Sequence, residues 1–249
     1  MFALDGRTAF VTGAGQGLGA AIARGLAEAG AAVVLADVDA QAADAAADAL
    51  RAAGHHCLAL PLDVRDESAF TRCLDAAVDH FGAVDIMVNN AARTSSTPLW
   101  DIDADEWDDV MAVNLRGSFF GCRIAGRHMR ARGSGRIVNL ASIAGQQASA
   151  ATGAHYAASK AGLVALTRSF AQALSADGVT VNAIAPAAIR SPLLDAMAPE
   201  RQQALLDGIP LGRFGEPQEV AAAVVYLASP AGAFITGATL DLNGGRLMR

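Results

Sequence analysis

Tyr156 and Lys160 stand four positions apart, and the apolar series Leu163, Leu166, Phe170 that follows predicts a helix, so the two side chains share one face. An ammonium held near a phenol stabilises the phenolate and lowers its pKa from about 10 toward working pH. Such a phenol can exchange a proton with an alcohol or carbonyl oxygen. Ser142, just past an apolar run that ends at Leu140, is placed to offer a hydroxyl to the same oxygen. Taken singly, a Tyr/Lys pair can be structural and a serine in this place can be a turn cap.

A second set of residues suits a different task. Thr12-Gly13-Ala14-Gly15-Gln16-Gly17-Leu18-Gly19 follows an apolar run and leads into a helix. Glycine lets the backbone turn sharply and approach a pyrophosphate, whose charge then sits on the free N–H groups of the helix N-terminus. The register is Thr-Gly-x-x-x-Gly-x-Gly, because Leu18 breaks a G-x-G-x-x-G pattern begun at Gly13. Asp37 ends the second apolar run, where an acid can accept hydrogen bonds from adenosine ribose hydroxyls; its blander role is a helix cap. Asp63-Val64 ends the third run and Asn89-Asn90-Ala91-Ala92 the fourth. In an open parallel sheet these strand ends line the ligand crevice.

The elements that position these residues follow from hydrophobic periodicity. Short apolar runs at 8–11, 32–36, 57–62, 84–88, 137–140, 179–184 and 239–242 predict seven strands. Between the first two, Leu18, Ala21, Ile22, Gly25, Leu26 and Ala29 form one apolar stripe of helical period. Strands apolar throughout are buried on both faces, and strand–helix alternation implies right-handed crossovers. The predicted fold is therefore a doubly wound, Rossmann-type α/β domain over 1–249, a parallel sheet of about seven strands with helices on both faces. The segment 186–214 breaks the alternation with Pro186, Pro192, Pro199, Pro210 and Gly212, and reads as a helical excursion over the site. A helix beginning near Pro217 follows it.

With these residues in this order, the chain resembles the short-chain dehydrogenase/reductase family over essentially its whole length. The matching motifs are Thr12-Gly13-x-x-x-Gly17-x-Gly19, Asp63, Asn89-Asn90-Ala91, Asn114, Ser142, Tyr156-x-x-x-Lys160 and the segment from Asn182 to Pro186. The resemblance implies a catalytic tetrad of Asn114, Ser142, Tyr156 and Lys160, with Asn114 holding a water that relays protons to Lys160. It implies a dinucleotide held by Gly13, Gln16, Gly17, Leu18, Gly19, Asp37, Asp63, Val64, Asn90, Ala91, Tyr156, Lys160 and Pro186, with Ile189 and Ser191 at the nicotinamide end. The family usually has glycine where this chain has Ala92 and Ala187, and the 142–156 spacing is one residue longer than is common. Arg93, Thr94, Gln147, His155 and Leu193, with Ser142 and Tyr156, fall on segments expected around the substrate; Trp100 and Trp107 read as packing residues.

Composition bounds the alternatives. Nineteen Lys and Arg against 25 Asp and Glu give a net charge of −6, which excludes a generic basic nucleic-acid binder. Cys57, Cys73 and Cys122 are odd in number and widely spaced, suggesting neither a disulfide framework nor a zinc cluster, and hence a reduced, cytoplasmic protein. No apolar run is long enough for a membrane span and the N-terminus lacks a signal-peptide pattern. His55-His56 is too isolated for a metal site, so no catalytic metal is expected.

The leading reading is an NAD(H)-dependent oxidoreductase moving hydride between nicotinamide and a secondary alcohol or ketone carbon. Asp37 opposes the 2′-phosphate of NADP and favours NAD, and with it a catabolic substrate: a polyol, sugar, hydroxyacid or other alcohol. A 3-oxoacyl-[acyl-carrier-protein] reductase is the alternative within that chemistry. A non-catalytic dinucleotide sensor or scaffold is the alternative outside it; the intact Ser142, Tyr156 and Lys160 argue against that. A small-residue row on the 156–176 helix (Ala158, Ala161, Ala165, Ala173), an apolar 217–228 helix and the mostly tetrameric family predict a homotetramer.

Overall fold

Among the described residues, seven strands run parallel, in the spatial order β3-β2-β1-β4-β5-β6-β7. The computed structural model describes residues 2–148 and 152–248. In chain order the first half comprises β1 (Thr8–Thr12), α1 (Gly17–Glu28), β2 (Ala32–Asp37), α2 (Ala40–Ala52), β3 (Cys57–Pro61), α3 (Glu67–Phe81) and β4 (Ile86–Asn89). Next come α4 (Ala104–Met111), a π-helical turn (Ala112–Arg116), α5 (Gly117–Arg132), β5 (Gly135–Leu140), α6 (Ala154–Leu174) and β6 (Val179–Pro186). The chain ends with α7 (Pro192–Asp195), α8 (Pro199–Leu206), α9 (Pro217–Ala228) and β7 (Thr239–Leu242).

Alternation along each strand sends successive side chains to opposite faces. On β1, Ala9 and Val11 join Ile22, Leu26, Val33, Leu35, Val220 and Val224 in the core under α1 and α9. Phe10 points the other way, into Val34, Phe70, Met87, Met129 and Val181 under α3 and α5, with its ring 5.9 Å from that of Phe70. Burial on both faces is why these strands are legible as unbroken apolar runs.

The strand order reverses between β1 and β4. The chain leaves β1 toward β2 on one side and leaves β4 toward β5 on the other, so the loops after β1 and β4 diverge and open a crevice at the carboxyl edge. Below it, Asn89 Nδ2 donates to Asn139 Oδ1 at 2.8 Å and Asn139 Nδ2 to Thr167 Oγ1 at 2.9 Å, tying β4, β5 and α6 together inside the apolar core.

Several expectations shift in detail. The fourth strand begins at Ile86 rather than at 84, and β5 begins at Gly135 rather than at 137. The α1 stripe is wider than predicted: Ile22, Ala23, Leu26 and Ala27 are buried, while Gly25 faces Ala221 of α9 so closely that an added Cβ would lie 3.0 Å from the alanine methyl. The 186–214 excursion contains two short helices, each begun by a proline, and a small core of Leu194, Ile209 and Phe214. Trp100 packs on nothing that hides it: it is 92% exposed.

Candidate functional site

The crevice is a cleft of about 820 Å³ whose floor begins at the glycine-rich turn. Gly13 and Gly19 are glycines because the backbone is too close for anything else. A Cβ on Gly19 would sit 1.9 Å from the Gly13 carbonyl oxygen, and one on Gly13 would lie 2.8 Å from Ala91 Cα, with φ at +63°. Asp39, Asp66 and Asp103 each cap their helices α2, α3 and α4 by accepting a backbone N–H. Gln16, at the head of α1, makes no such bond. The N–H groups of α1 thus keep their positive end for a ligand, which is the arrangement that suits a pyrophosphate.

The turn is braced from both sides. Thr12 Oγ1 accepts from the backbone N–H groups of Asn90 and Ala91 at 3.0 and 3.1 Å, and Asn90 Nδ2 donates to the carbonyls of Thr12 and Gly13 at 2.9 and 3.0 Å. Asp37 accepts from Gly15 N at 2.9 Å and from Asp39 N at 3.0 Å. Asp37 is therefore not the α2 cap, a place taken by Asp39; its carboxylate faces the cleft beside Gln16 and the exposed Val38. The three arginines in the cleft wall are all paired with acids. Arg65 forks onto Asp63 and reaches Asp109, Arg93 pairs with Asp109, and Arg190 pairs with Glu216 and Asp195. The Arg65 fork holds the Asp63 carboxyl below its ordinary range.

At the far end α6 presents Tyr156 and Lys160 to the cleft. Ser142 and Thr94 line the cleft together with Tyr156, and their hydroxyls favour the ionised form of its phenol. Ser142 Oγ also accepts from Ala144 N at 3.1 Å, so the turn that ends β5 fixes it. Lys160 is 3% exposed, its Nζ 5.6 Å from the Tyr156 ring centroid and donating to the Leu140 carbonyl at 2.6 Å. Burial pulls the ammonium down to about 8. The expected lowering of the phenol does not appear in this arrangement: burial pushes Tyr156 up, the two hydroxyls pull part of that back, and the ammonium is turned onto Leu140 O.

Asn114 lies beneath the cleft, fully buried in the π-helical turn. Its Nδ2 donates to Arg93 O at 3.0 Å and Ser159 Oγ at 3.1 Å, and its Oδ1 accepts from Arg93 N at 2.7 Å. Of the remaining residues singled out from sequence, Gln16, Leu18, Val64, Ala91, Arg93, Thr94, Pro186, Ile189 and Ser191 line the cleft, and Gly17 opens α1 with φ at +57°. Gln147 and His155 lie outside that lining. His155 is not on a loop but in the first turn of α6, 0% exposed, against Trp107 and Glu106. The side chain of Leu193, and residues 149–151 of the 142–156 segment, lie outside the described residues. Arg65, Asp109, Val113 and Arg190 line the cleft without having been expected. Arg65 alone left a signal, its place two residues after Asp63.

Residues 13–246 match the family model described as Enoyl-(Acyl carrier protein) reductase. The 3-oxoacyl-[acyl-carrier-protein] reductase FabG of Vibrio cholerae is 41% identical over 245 residues, 98% of this chain and 99% of that protein. The cis-4-hydroxycyclohexanecarboxylate dehydrogenase of Sinomonas cyclohexanicum is 43% identical over 96% of each chain. The chain belongs to the short-chain dehydrogenase/reductase family. This short-chain dehydrogenase/reductase (SDR) also superposes on the crystal structure of gox2181 with a TM-score of 0.95 at 34% identity, covering 98% of this chain and 97% of that one. It is an oxidoreductase acting on CH–OH or ketone groups, of a family that binds a nicotinamide dinucleotide. Among the described residues of the SDR, no helix is long and apolar enough to cross a membrane.

The buried ammonium of Lys160 makes a prediction. Its folded value of about 8 lies below the ordinary 10.5, so between those pH values the unfolded chain binds more protons at this position than the folded one. The stability of the wild type relative to Lys160→Met should therefore rise from pH 8 to 10.5, as read by urea denaturation at stepped pH; a flat difference would show that the ammonium is not held in a dry site.

Proposed function

We propose that this SDR is an NAD-preferring dehydrogenase of a secondary alcohol, acting reversibly on the corresponding ketone, with Tyr156 as general acid/base. The observation that carries the reading is the Tyr156 phenol, in one cleft with Ser142 and one helical turn from the buried Lys160, at the end of a cleft that begins at an uncapped helix N-terminus. The glycine-rich turn fits the dinucleotide: the α1 N–H groups would take the pyrophosphate, Asp37 the adenosine ribose, and Asp63 and Val64 the adenine end. Asn90 and Ala91 would wall the middle, and Pro186, Ile189 and Ser191 the nicotinamide end. When bound, the nicotinamide supplies or accepts the hydride.

The residues of this chain handle the proton. Tyr156 exchanges it with the substrate oxygen, Ser142 donates a hydrogen bond to that oxygen, and Lys160 supplies positive charge that favours the phenolate. With a dinucleotide bound, Lys160, which here donates to Leu140 O, would hold the nicotinamide ribose. Asn114, bonded to Ser159 Oγ, would hold a water that relays protons to Lys160. The excursion at 186–214, whose Arg190 pairs with Asp195 and Glu216, covers the substrate.

A 3-oxoacyl thioester on a carrier protein is the second substrate reading, favoured by the FabG relative; cis-4-hydroxycyclohexanecarboxylate dehydrogenase, the other relative, favours a free hydroxyacid, and Asp37 sides with the latter. Three free thiols, Cys57, Cys73 and Cys122, support work in the reducing cytoplasm. A homotetramer is supported by Ala161, Ala165 and Ala173, which α6 leaves exposed within one subunit, Ala165 sharing a surface hollow with Leu115 and Phe119.

Three outcomes test these readings. Tyr156→Phe should cut turnover by roughly 10²–10⁴ while NADH binding stays nearly unchanged; near-normal turnover would remove Tyr156 from the chemistry. The wild type should prefer NAD over NADP by at least about tenfold in kcat/KM, about 1.4 kcal/mol, because Asp37 meets the 2′-phosphate with like charge and the cleft arginines are already paired. Asp37→Ala should shrink that preference, and equal efficiency with both coenzymes in the wild type would contradict it. Light scattering at micromolar concentration should return four times the mass of one chain, and a monomer would refute the assembly.

A further inference from the structure

Glu106 of α4 does not line the cleft, yet its carboxylate collects groups from two other segments that do. Glu106 Oε1 accepts from Ser95 Oγ at 2.5 Å and from Thr97 Oγ1 at 2.7 Å, and His155 Nε2 of α6 lies 3.2 Å away. Those hydroxyls, and then His155, hold the Glu106 carboxyl down at about 2, so it is an anion at any working pH. The imidazole is fully buried, stacked on Trp107 and so close to Gly153 that a Cβ there would lie 2.2 Å from His155 Cε1. Gly153 N also donates to Ser95 O at 2.7 Å, and Thr97 N to Ser95 Oγ at 3.1 Å. One end of segment 93–97 is thereby tied to the first turn of α6, immediately before Tyr156.

The other end is tied by Asn114, which brackets the Arg93 backbone through both its N–H and its carbonyl. Thr94 stands between the two anchors and lines the cleft with Tyr156, where its hydroxyl favours ionisation of the phenol. A β-branched side chain has few rotamers, so fixing the backbone on both sides of Thr94 fixes where its hydroxyl points. We propose that Glu106 is a positioning residue of the acid–base centre: together with Asn114 it holds segment 93–97 so that the Thr94 hydroxyl is kept on the Tyr156 side of the cleft, as a second hydroxyl besides Ser142. The consequence rests on the reading of Tyr156 as the proton-exchanging group. A hydroxyl that donates to the phenolate favours the ionised form, and a loose segment withdraws that support.

The chain has two tyrosines, Tyr156 and Tyr226, so in a Tyr226→Phe background of the full chain the ultraviolet absorbance of phenolate reports Tyr156 alone. Thr94→Val and Glu106→Gln should each raise the pH at which Tyr156 ionises, by the same amount, and the double variant should move it no further. Thr97→Val, which removes one of the carboxylate's donors and leaves its charge, should shift the titration in the same direction. An unmoved titration in Thr94→Val or Glu106→Gln, or additive shifts in the double variant, would overturn the proposal; so would a Glu106→Gln chain that only melts at lower temperature. The titration needs no turnover, so it judges the placement of Thr94 separately from the role of Tyr156, which stands or falls on the activity of Tyr156→Phe.

Discussion

Everything in the site depends on how the divergent loops at the β1/β4 switch point are held apart without being left loose. Two side chains do this: Thr12 accepts from two backbone N–H groups of the β4 loop, and Asn90 returns two hydrogen bonds to the carbonyls of the β1 loop. Each such bond contributes about 0.5–1.5 kcal/mol net, but their joint effect is geometric. They bring Gly13 against Ala91 and Gly19 against Gly13, and so fix the direction of the α1 N–H groups. A side chain at either glycine would force the turn open and lose the cradle.

Charge is distributed on the same plan. The cleft wall carries three arginines, yet each is answered by an acid, while Asp37 lines the cleft as a carboxylate that accepts from the backbone N–H groups of Gly15 and Asp39. At the other end the protein places a lysine where burial opposes its charge and gives it a carbonyl to donate to. An ammonium that is uncomfortable when buried gains most from an anionic neighbour, and the phenolate of Tyr156 is the neighbour one turn away.

The sequence made the sheet legible because both-face burial writes strands as unbroken apolar runs, and it made the glycine turn and the Tyr156/Lys160 pair legible because both are local patterns. Adjacency misled at His155. Successive residues on a helix point about 100° apart, so turning Tyr156 toward the cleft turns its predecessor away, into the space beside Gly153 and Trp107. Trp100 carries an apolar side chain whose partner, or lack of one, is decided by tertiary structure alone. The Glu106 cluster was invisible for the same reason, since Ser95, Thr97, Glu106 and His155 sit on three segments and share no spacing. Prolines marked where segment 186–214 breaks, and two of them begin its short helices, but the lengths of those helices depend on the local core around Phe214.

The most direct test of the account is a crystal structure of the chain with NADH. The account predicts the adenosine ribose hydroxyls on Asp37, the pyrophosphate on the N–H groups at the head of α1, and the nicotinamide C4 facing the Tyr156 hydroxyl with Lys160 swung from Leu140 O to the adjoining ribose. A dinucleotide bound in the reverse direction, or bound with its nicotinamide away from Tyr156, would contradict it.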